Sequence, residues 1–339
     1  MKSDVKKNPE DHAFLKRPNH PIIALATPVL FSMMAEALTG LVDTSWISRL
    51  GAEELAALGV GTVTLSAIFW ISNLLGVGAQ TEIAQLTGSE ENERASEMAG
   101  LAIVLATIFG TLIALVGMPL CDPASAAMGA RGDILKNATD YMQIRLLAAP
   151  AILISLTSFG ILRGVQDMKT PMKIAILVNL INLVLDPILI FGYSNFSIPA
   201  MGIKGAALAT PISQVAGGIV CVRAVVKHFG IPKTLKMADA RSLVRIGRDL
   251  FIRTGFLTAF ILLTTREATT IGADGGAAHQ AIRQVWLFTA LFLDSFAITG
   301  QSLIGYFYGA GKTGIARTVA KYVLAWSAFT GALLCLLML

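Results

Sequence analysis

The sequence predicts an all-α integral membrane protein built as two helical lobes in parallel repeat, six helices followed by an incomplete three. Hydrophobic residues make up 54% of the chain and charged residues only 14%, whereas soluble domains carry about 25% charged residues. The apolar residues lie in runs that reach the roughly 20 residues a membrane helix needs. The pattern of runs restarts after a basic linker, which indicates a repeat.

Nine apolar segments are predicted to cross the membrane as helices, because none of them alternates as a strand would. They are residues 21–47, 55–87, 96–118, 138–162, 172–193, 203–226, 249–271, 277–308 and 317–339. The first segment is longer than the core of a signal peptide and no cleavage pattern follows it, so we interpret it as a retained helix.

Basic residues predict the domain boundaries and the orientation. A polar tail at 1–20, the loop at 163–173 and the basic stretch at 223–248 together hold most of the lysines and arginines. The tail and a linker at 227–248 flank a six-helix N-terminal lobe at 21–226. An incomplete C-terminal lobe of three helices follows at 249–339. Because positive loops stay on the cytoplasmic side, we expect a multi-pass protein of the inner (plasma) membrane with a cytoplasmic N-terminus.

The two lobes align with each other at low identity. Sliding the chain by 221 residues pairs Gln80 with Gln301 and Gly88 with Gly309 without a gap. A second unit as long as the first would bring the chain to about 450 residues. We therefore expect that the sequence is truncated after the ninth helix.

Ionisable residues inside the predicted helices are the candidate functional groups, since a charge at a helix centre costs roughly 2.5–3.5 kcal/mol. Glu36 and Asp43 lie seven residues apart on one face of the first helix, and Asn179, Asn182 and Asp186 form one stripe on the fifth. Both helices run in the same direction, which brings Asp43 and Asp186 to a similar depth. These five residues predict a site that binds a cation or exchanges a proton.

Four segments together resemble the multidrug and toxic compound extrusion (MATE) family. They are LVDTSWISRLGAEELAALGVG (41–61), LRGVQDMKTPM (162–172), NLVLDPILIFG (182–192) and GIKGAALATPISQ (202–214). An acid seven residues before Asp43, and Asn182 four residues before Asp186, are similar to the DinF-like branch of that family.

The resemblance implies a secondary active antiporter that exports drug-like organic cations or metabolites in exchange for H⁺ or Na⁺. It places Asp43, Asp186 and Asn182 in the cation site of the N-terminal lobe and Thr210 in the wall of the same cavity. No cofactor is expected besides the coupling ion. The expected partners are a small amphipathic substrate and the lipid bilayer, and neither nucleic acid nor nucleotide.

The C-terminal lobe carries its own intramembrane charges. Arg253 and Asp294 are predicted to lie at a similar depth and to form a structural ion pair, because intramembrane charges usually pair. The repeat counterpart of Asp43 is Thr264. An equivalent acidic site is therefore not expected at this position of the second lobe.

Other chemistries find little support. The GAGKT run at 309–313 lacks the glycine that a phosphate-binding loop needs at the position of Tyr306. The three cysteines are far apart and predict neither a disulfide framework nor a zinc site. Since no catalytic arrangement is found either, the chain is not expected to be an enzyme.

Two alternatives stay open. One is a lipid-linked sugar flippase of the same superfamily, which would be expected to have a strongly basic cavity, whereas the N-terminal lobe offers only Arg145 inside its helices. The other is a truncated membrane fragment that does not transport.

Overall fold

The computed structural model describes residues 12–193, 198–232, 234–235, scattered positions between 252 and 267, and 273–338. Apart from an isolated bridge between Tyr193 and Ile198, regular structure over these residues is helical. The helices are α1 (Ala13–Lys16), α2 (Asn19–Ile47), α3 (Ala52–Ser72), α4 (Leu74–Gly88), α5 (Asn92–Ala127), α6 (Gly132–Leu146), α7 (Ala149–Gly164), α8 (Lys169–Phe191), α9 (Ile203–Phe229), α10 (Ala273–Gly309) and α11 (Thr313–Met338).

The helical membrane fold is confirmed. In the part of the chain that the structure describes, seven helical spans, with α3 and α4 counted as one, are long and apolar enough to cross a bilayer. An eighth results if the bent pair α6 and α7 is a single span. Large apolar side chains such as Leu115, Val184 and Leu324 face outward, as lipid contact requires. The predicted helix at 249–271 lies largely outside the described residues and stays a prediction.

The prediction of one continuous helix at 138–162 is wrong. Helix α6 ends at Leu146 and α7 begins at Ala149, with a bend of 53° between them. Pro150 stands in the first turn of α7. A proline has no N–H for the carbonyl of Leu146, four residues earlier, and its ring would clash with that carbonyl. The helix therefore breaks there, and α6 takes a direction of its own.

The N-terminal helices form one packed bundle. Helix α8 packs against α9 and α2, and α7 packs against α4, α5 and α9. Small residues allow some of these helices to approach closely, as is usual in membrane bundles. A Cβ atom added at Gly160 of α7 would lie 2.0 Å from the carbonyl oxygen of Gly76 in α4.

Helix α10 joins this bundle through reciprocal contacts with α4. The side-chain amide of Gln80 donates to the carbonyl oxygen of Ile298 (2.8 Å), and that of Gln301 donates to the carbonyl oxygen of Val77 (2.9 Å). A shift of 221 residues converts one hydrogen bond into the other. These two helices are thus related by a local pseudo-twofold axis.

Two glycines extend the same symmetry to the ends of α4 and α10. A Cβ atom at Gly88 would lie 1.9 Å from the carbonyl oxygen of Tyr306, and one at Gly309 would lie 2.0 Å from that of Gln85. The 221-residue shift relates these contacts as well. The two backbones touch where both helices end, and we refer to this contact, with the Gln80 and Gln301 hydrogen bonds, as the α4–α10 seam.

The short helix α1 lies at the same end of the molecule. Phe14 is buried and packs against Phe307 and Tyr322 of α10 and α11. The Nδ1 atom of His12 accepts a hydrogen bond from the backbone N–H of Phe14, and its Nε2 atom lies 3.0 Å from the Oε1 atom of Gln166. Helix α1 therefore bridges the loop after α7 and the C-terminal helices.

Candidate functional site

A polar cavity of about 230 Å³ lies between α2, α3, α6, α8 and α9. Five of the six residues that the sequence predicts for the coupling site and substrate cavity line it, namely Glu36, Asp43, Asn179, Asn182 and Thr210. The sixth, Asp186, is 1% exposed and accepts a hydrogen bond from the side chain of Asn182. The structure thus brings all six together.

Helix geometry explains why these side chains converge. On α8, Asn179, Asn182 and Asp186 follow a three- and four-residue spacing, which puts them on one face, and that face packs toward α2 and α9. On α2, Glu36 and Asp43 are two turns apart and both reach the cavity. Glu36 is exposed at its wall, whereas Asp43 is half-buried.

The carboxyl groups of Asp43 and Asp186 lie within hydrogen-bonding reach of each other. The side-chain amide of Asn182 donates to Oδ1 of Asp186 over 3.4 Å. Oδ1 of Asp43 and Oδ2 of Asp186 are buried and receive no hydrogen bond from the described residues. Two ionised carboxylates cannot satisfy each other, because neither has a proton to donate. A single shared proton would supply a donor and remove the repulsion.

Sequence reasoning did not assign Arg145 and Tyr141 to this site. Both belong to α6 and line the cavity. Nη1 of Arg145 donates to the hydroxyl oxygen of Tyr141 over 2.5 Å, and its positive charge acts on Asp43, Asp186 and Glu36. Arg145 stands out in the sequence as a charge inside a predicted helix, but no spacing in the sequence links it or Tyr141 to the acids of α2 and α8.

Hydroxyl side chains complete the wall of the cavity. Thr62 and Ser66 of α3 and Ser213 of α9 face it beside the predicted Thr210. The hydroxyl of Thr62 donates to the carbonyl oxygen of Leu58, and that of Ser213 donates to the carbonyl oxygen of Thr210 over 2.9 Å. Their oxygens still carry lone pairs for a cation or a substrate. Single hydroxyls in apolar helices are common, so their sequence positions carried no signal.

The predicted ion pair of the C-terminal lobe remains a prediction. Arg253 lies outside the described residues, and the side chain of Asp294 is exposed on α10.

A larger cavity of about 540 Å³ lies at the other end of α2. His12, His20, Gln166, Asp167 and Tyr306 are among the residues that line it. None of the three acids of the polar site faces this cavity. Of the two cavities, the smaller one therefore holds the acids predicted from the sequence.

Comparison with known proteins supports a family assignment. Residues 28–188 match the MatE family. The DNA damage-inducible protein F of Escherichia coli (strain K12) is 32% identical over 306 residues, which cover 88% of this chain and 65% of that protein. The probable multidrug resistance protein NorM of Thermotoga maritima is 26% identical over 303 residues, covering 86% of this chain and 63% of that protein.

The fold gives the same result. A crystal structure of MATE in the straight conformation superposes with a TM-score of 0.84 at 26% identity, over 92% of this chain and 70% of that one. The chain thus spans slightly less than two thirds of the length of the two relatives named above. The family match, the relatives and the shared fold all relate the chain to the MATE family of multi-pass membrane proteins, a family of transporters rather than enzymes.

Proposed function

We propose that the chain acts as a secondary active exporter in which Asp43 and Asp186 couple substrate release to the entry of H⁺. The observation that carries this proposal is the contact between the two carboxyl groups, each of which has a buried oxygen without a donor among the described residues. A proton is the ligand that such a pair lacks. The substrates would be amphipathic organic cations, which the acidic side chains of the cavity attract.

The mechanism follows from the charge of this pair. When both groups are ionised, they can hold a cationic substrate beside Glu36. A proton from outside neutralises one carboxyl group, weakens the hold on the substrate and lets α2 and α8 approach. Pro28 leaves the carbonyl of Ala24 without its helical donor, so α2 can bend at this point as its partner helix moves. The substrate leaves, and rocking of the two lobes reopens the cavity toward the cytoplasm.

The orientation belongs to the same proposal. An N-terminus and a 227–248 linker in the cytoplasm follow from the positive-inside rule and correspond to the inner membrane of a bacterial cell. Substrate would then leave the cell as protons enter it down their gradient. Carboxylate and amide oxygens also suit Na⁺, so the experiment must vary the two gradients separately.

The first test is efflux by the reconstituted chain and its Asp43→Asn variant. Proteoliposomes loaded with ethidium receive either a pH gradient or a Na⁺ gradient. We expect wild-type efflux under the pH gradient and almost none in Asp43→Asn, because an amide cannot exchange the proton. Asp122→Asn is the matched control, since Asp122 is exposed on α5 and does not line the cavity. Proton-driven efflux at the wild-type rate in Asp43→Asn would contradict the proposal. Efflux under the Na⁺ gradient alone would mean that the coupling ion is Na⁺ and not H⁺.

A further inference from the structure

Most N–H donors of the Arg145 guanidinium have no acceptor among the described residues. It makes one hydrogen bond, to Tyr141, and its Nε atom is buried without an acceptor among the described residues. Over the same residues, no carboxylate oxygen lies within 4.0 Å of a guanidinium nitrogen of Arg145, so it forms no direct ion pair there. A guanidinium has five N–H donors in a planar fork. Most of these donors therefore remain available at the wall of the cavity.

The surrounding acids attract the guanidinium of Arg145 but, among the described residues, accept no hydrogen bond from it. Asp43, Asp186 and Glu36 act on it electrostatically, and all three belong to helices other than its own α6. A cationic group of a substrate that binds these acids would compensate their negative charge. Arg145 would then face the cavity with its own charge less screened, and an anionic group on the same substrate would be drawn to it.

We propose that Arg145 forms a subsite for the carboxylate or phosphate of a zwitterionic substrate whose cationic group faces Asp43, Asp186 and Glu36. This inference rests on the export function proposed above and narrows its substrate class. The planar fork of arginine matches such oxyanions with two parallel hydrogen bonds. The cavity of about 230 Å³ is smaller than the 300–1,000 Å³ of drug-sized sites, so it receives the charged end of the substrate only.

The test compares two dyes that differ at one group. Rhodamine 6G is a cation with an ethyl ester, and hydrolysis of that ester gives a free acid that is zwitterionic at neutral pH. Their dissociation constants for the full chain in nanodiscs are measured by fluorescence anisotropy, with empty nanodiscs as the blank. We expect the free acid to bind about tenfold more tightly than the ester, as a hydrogen-bonded charge pair would give.

Substitutions of Arg145 test whether this residue causes the difference in affinity between the two dyes. Arg145→Gln should bring the ratio to about one, because the amide keeps polarity but loses the charge. Arg145→Lys should give an intermediate ratio, since the charge stays and the planar fork is lost. If the glutamine variant does not fold, the lysine variant serves as the test. Lys204→Gln is the matched control, because Lys204 pairs with Asp140 over 2.9 Å outside the cavity, and it should keep the wild-type ratio.

Three results would overturn the subsite: equal affinities of wild type for the two dyes, a wild-type ratio in both Arg145 variants, or no binding of either dye to wild type. Equilibrium binding needs no ion gradient. The dye preference and proton-driven efflux are therefore measured separately, so failure of the subsite can be told apart from failure of the export function.

Discussion

Asp186 depends on Asn182 for its only hydrogen bond from a donor side chain among the described residues. Replacing Asn182 by alanine should destabilise the protein, since a buried acceptor left without a donor costs about 1–3 kcal/mol. We expect a lower thermal midpoint in detergent, measured by loss of the monodisperse peak after heating. In this variant a proton shared by Asp43 and Asp186 is the remaining donor for the acid pair. The decrease in thermal midpoint should therefore be smaller at acidic than at alkaline pH.

Asn179→Ala is the control for this prediction. Asn179 lies on the same face of α8, three residues earlier, but it is half-buried and makes no side-chain hydrogen bond to the described residues. Its removal should change the midpoint much less. Equal destabilisation by the two alanines would mean that the hydrogen bond to Asp186 contributes nothing particular to stability.

The acids could be found from the sequence, and the arginine could not, for a geometric reason. Glu36 and Asp43 share one helix, as do Asn182 and Asp186, and the helical period alone puts each set on one face. The position of Arg145 relative to them depends on the direction of α6. That direction is set by the break before Pro150, which the sequence analysis did not predict.

At the scale of helices, the α4–α10 seam has no room for a side chain at Gly88 or Gly309. Gly88→Ala or Gly309→Ala would bring a methyl group within about 2 Å of a backbone carbonyl oxygen. Backbone atoms cannot turn aside as a flexible side chain does, so the helices must separate, at a cost of about 1–3 kcal/mol. We expect a lower thermal midpoint for each variant. The two losses should be similar, because the pseudo-twofold axis makes the positions equivalent.

Gly59→Ala separates this steric effect from the helix propensity of alanine. Gly59 lies in α3, and an added Cβ atom would meet nothing within 4 Å. Alanine is favoured over glycine in a helix by roughly 1 kcal/mol, so this variant should be neutral or more stable. A neutral or stabilising effect at Gly88 as well would contradict the close backbone contact.

The helices themselves were largely predictable, whereas their contacts were not. Long apolar runs identify membrane spans because the bilayer leaves few other ways to satisfy the backbone. A proline inside such a run is ambiguous, since Pro28 and Pro187 stand within continuous helices and Pro150 begins a new one. The repeat alignment showed that Gln80 and Gln301 are equivalent. It could not show that the two segments touch, because equivalence of two units says nothing about their distance.

At the scale of the whole molecule, the described conformation is closed at one end. Backbones of the two repeats meet at Gly88 and Gly309, and α1 bridges the same end through His12 and Phe14. The polar cavity lies elsewhere, among α2, α3, α6, α8 and α9. If the chain transports as proposed above, by rocking of its lobes, the α4–α10 seam has to open during the transport cycle.

A covalent link across the seam should stop transport, provided that the chain exports as proposed. The amide of Gln301 donates to the hydroxyl of Thr81 over 2.7 Å, so cysteines at both positions can be joined by a short bis-methanethiosulfonate. Cys335 is exposed and is replaced by serine beforehand, whereas Cys121 and Cys221 are buried. We expect efflux to fall as maleimide labelling is lost, and to return after reduction. Each single cysteine variant, treated identically, should keep its activity. Unchanged efflux in the fully linked protein would mean that the lobes exchange access without parting at α4 and α10.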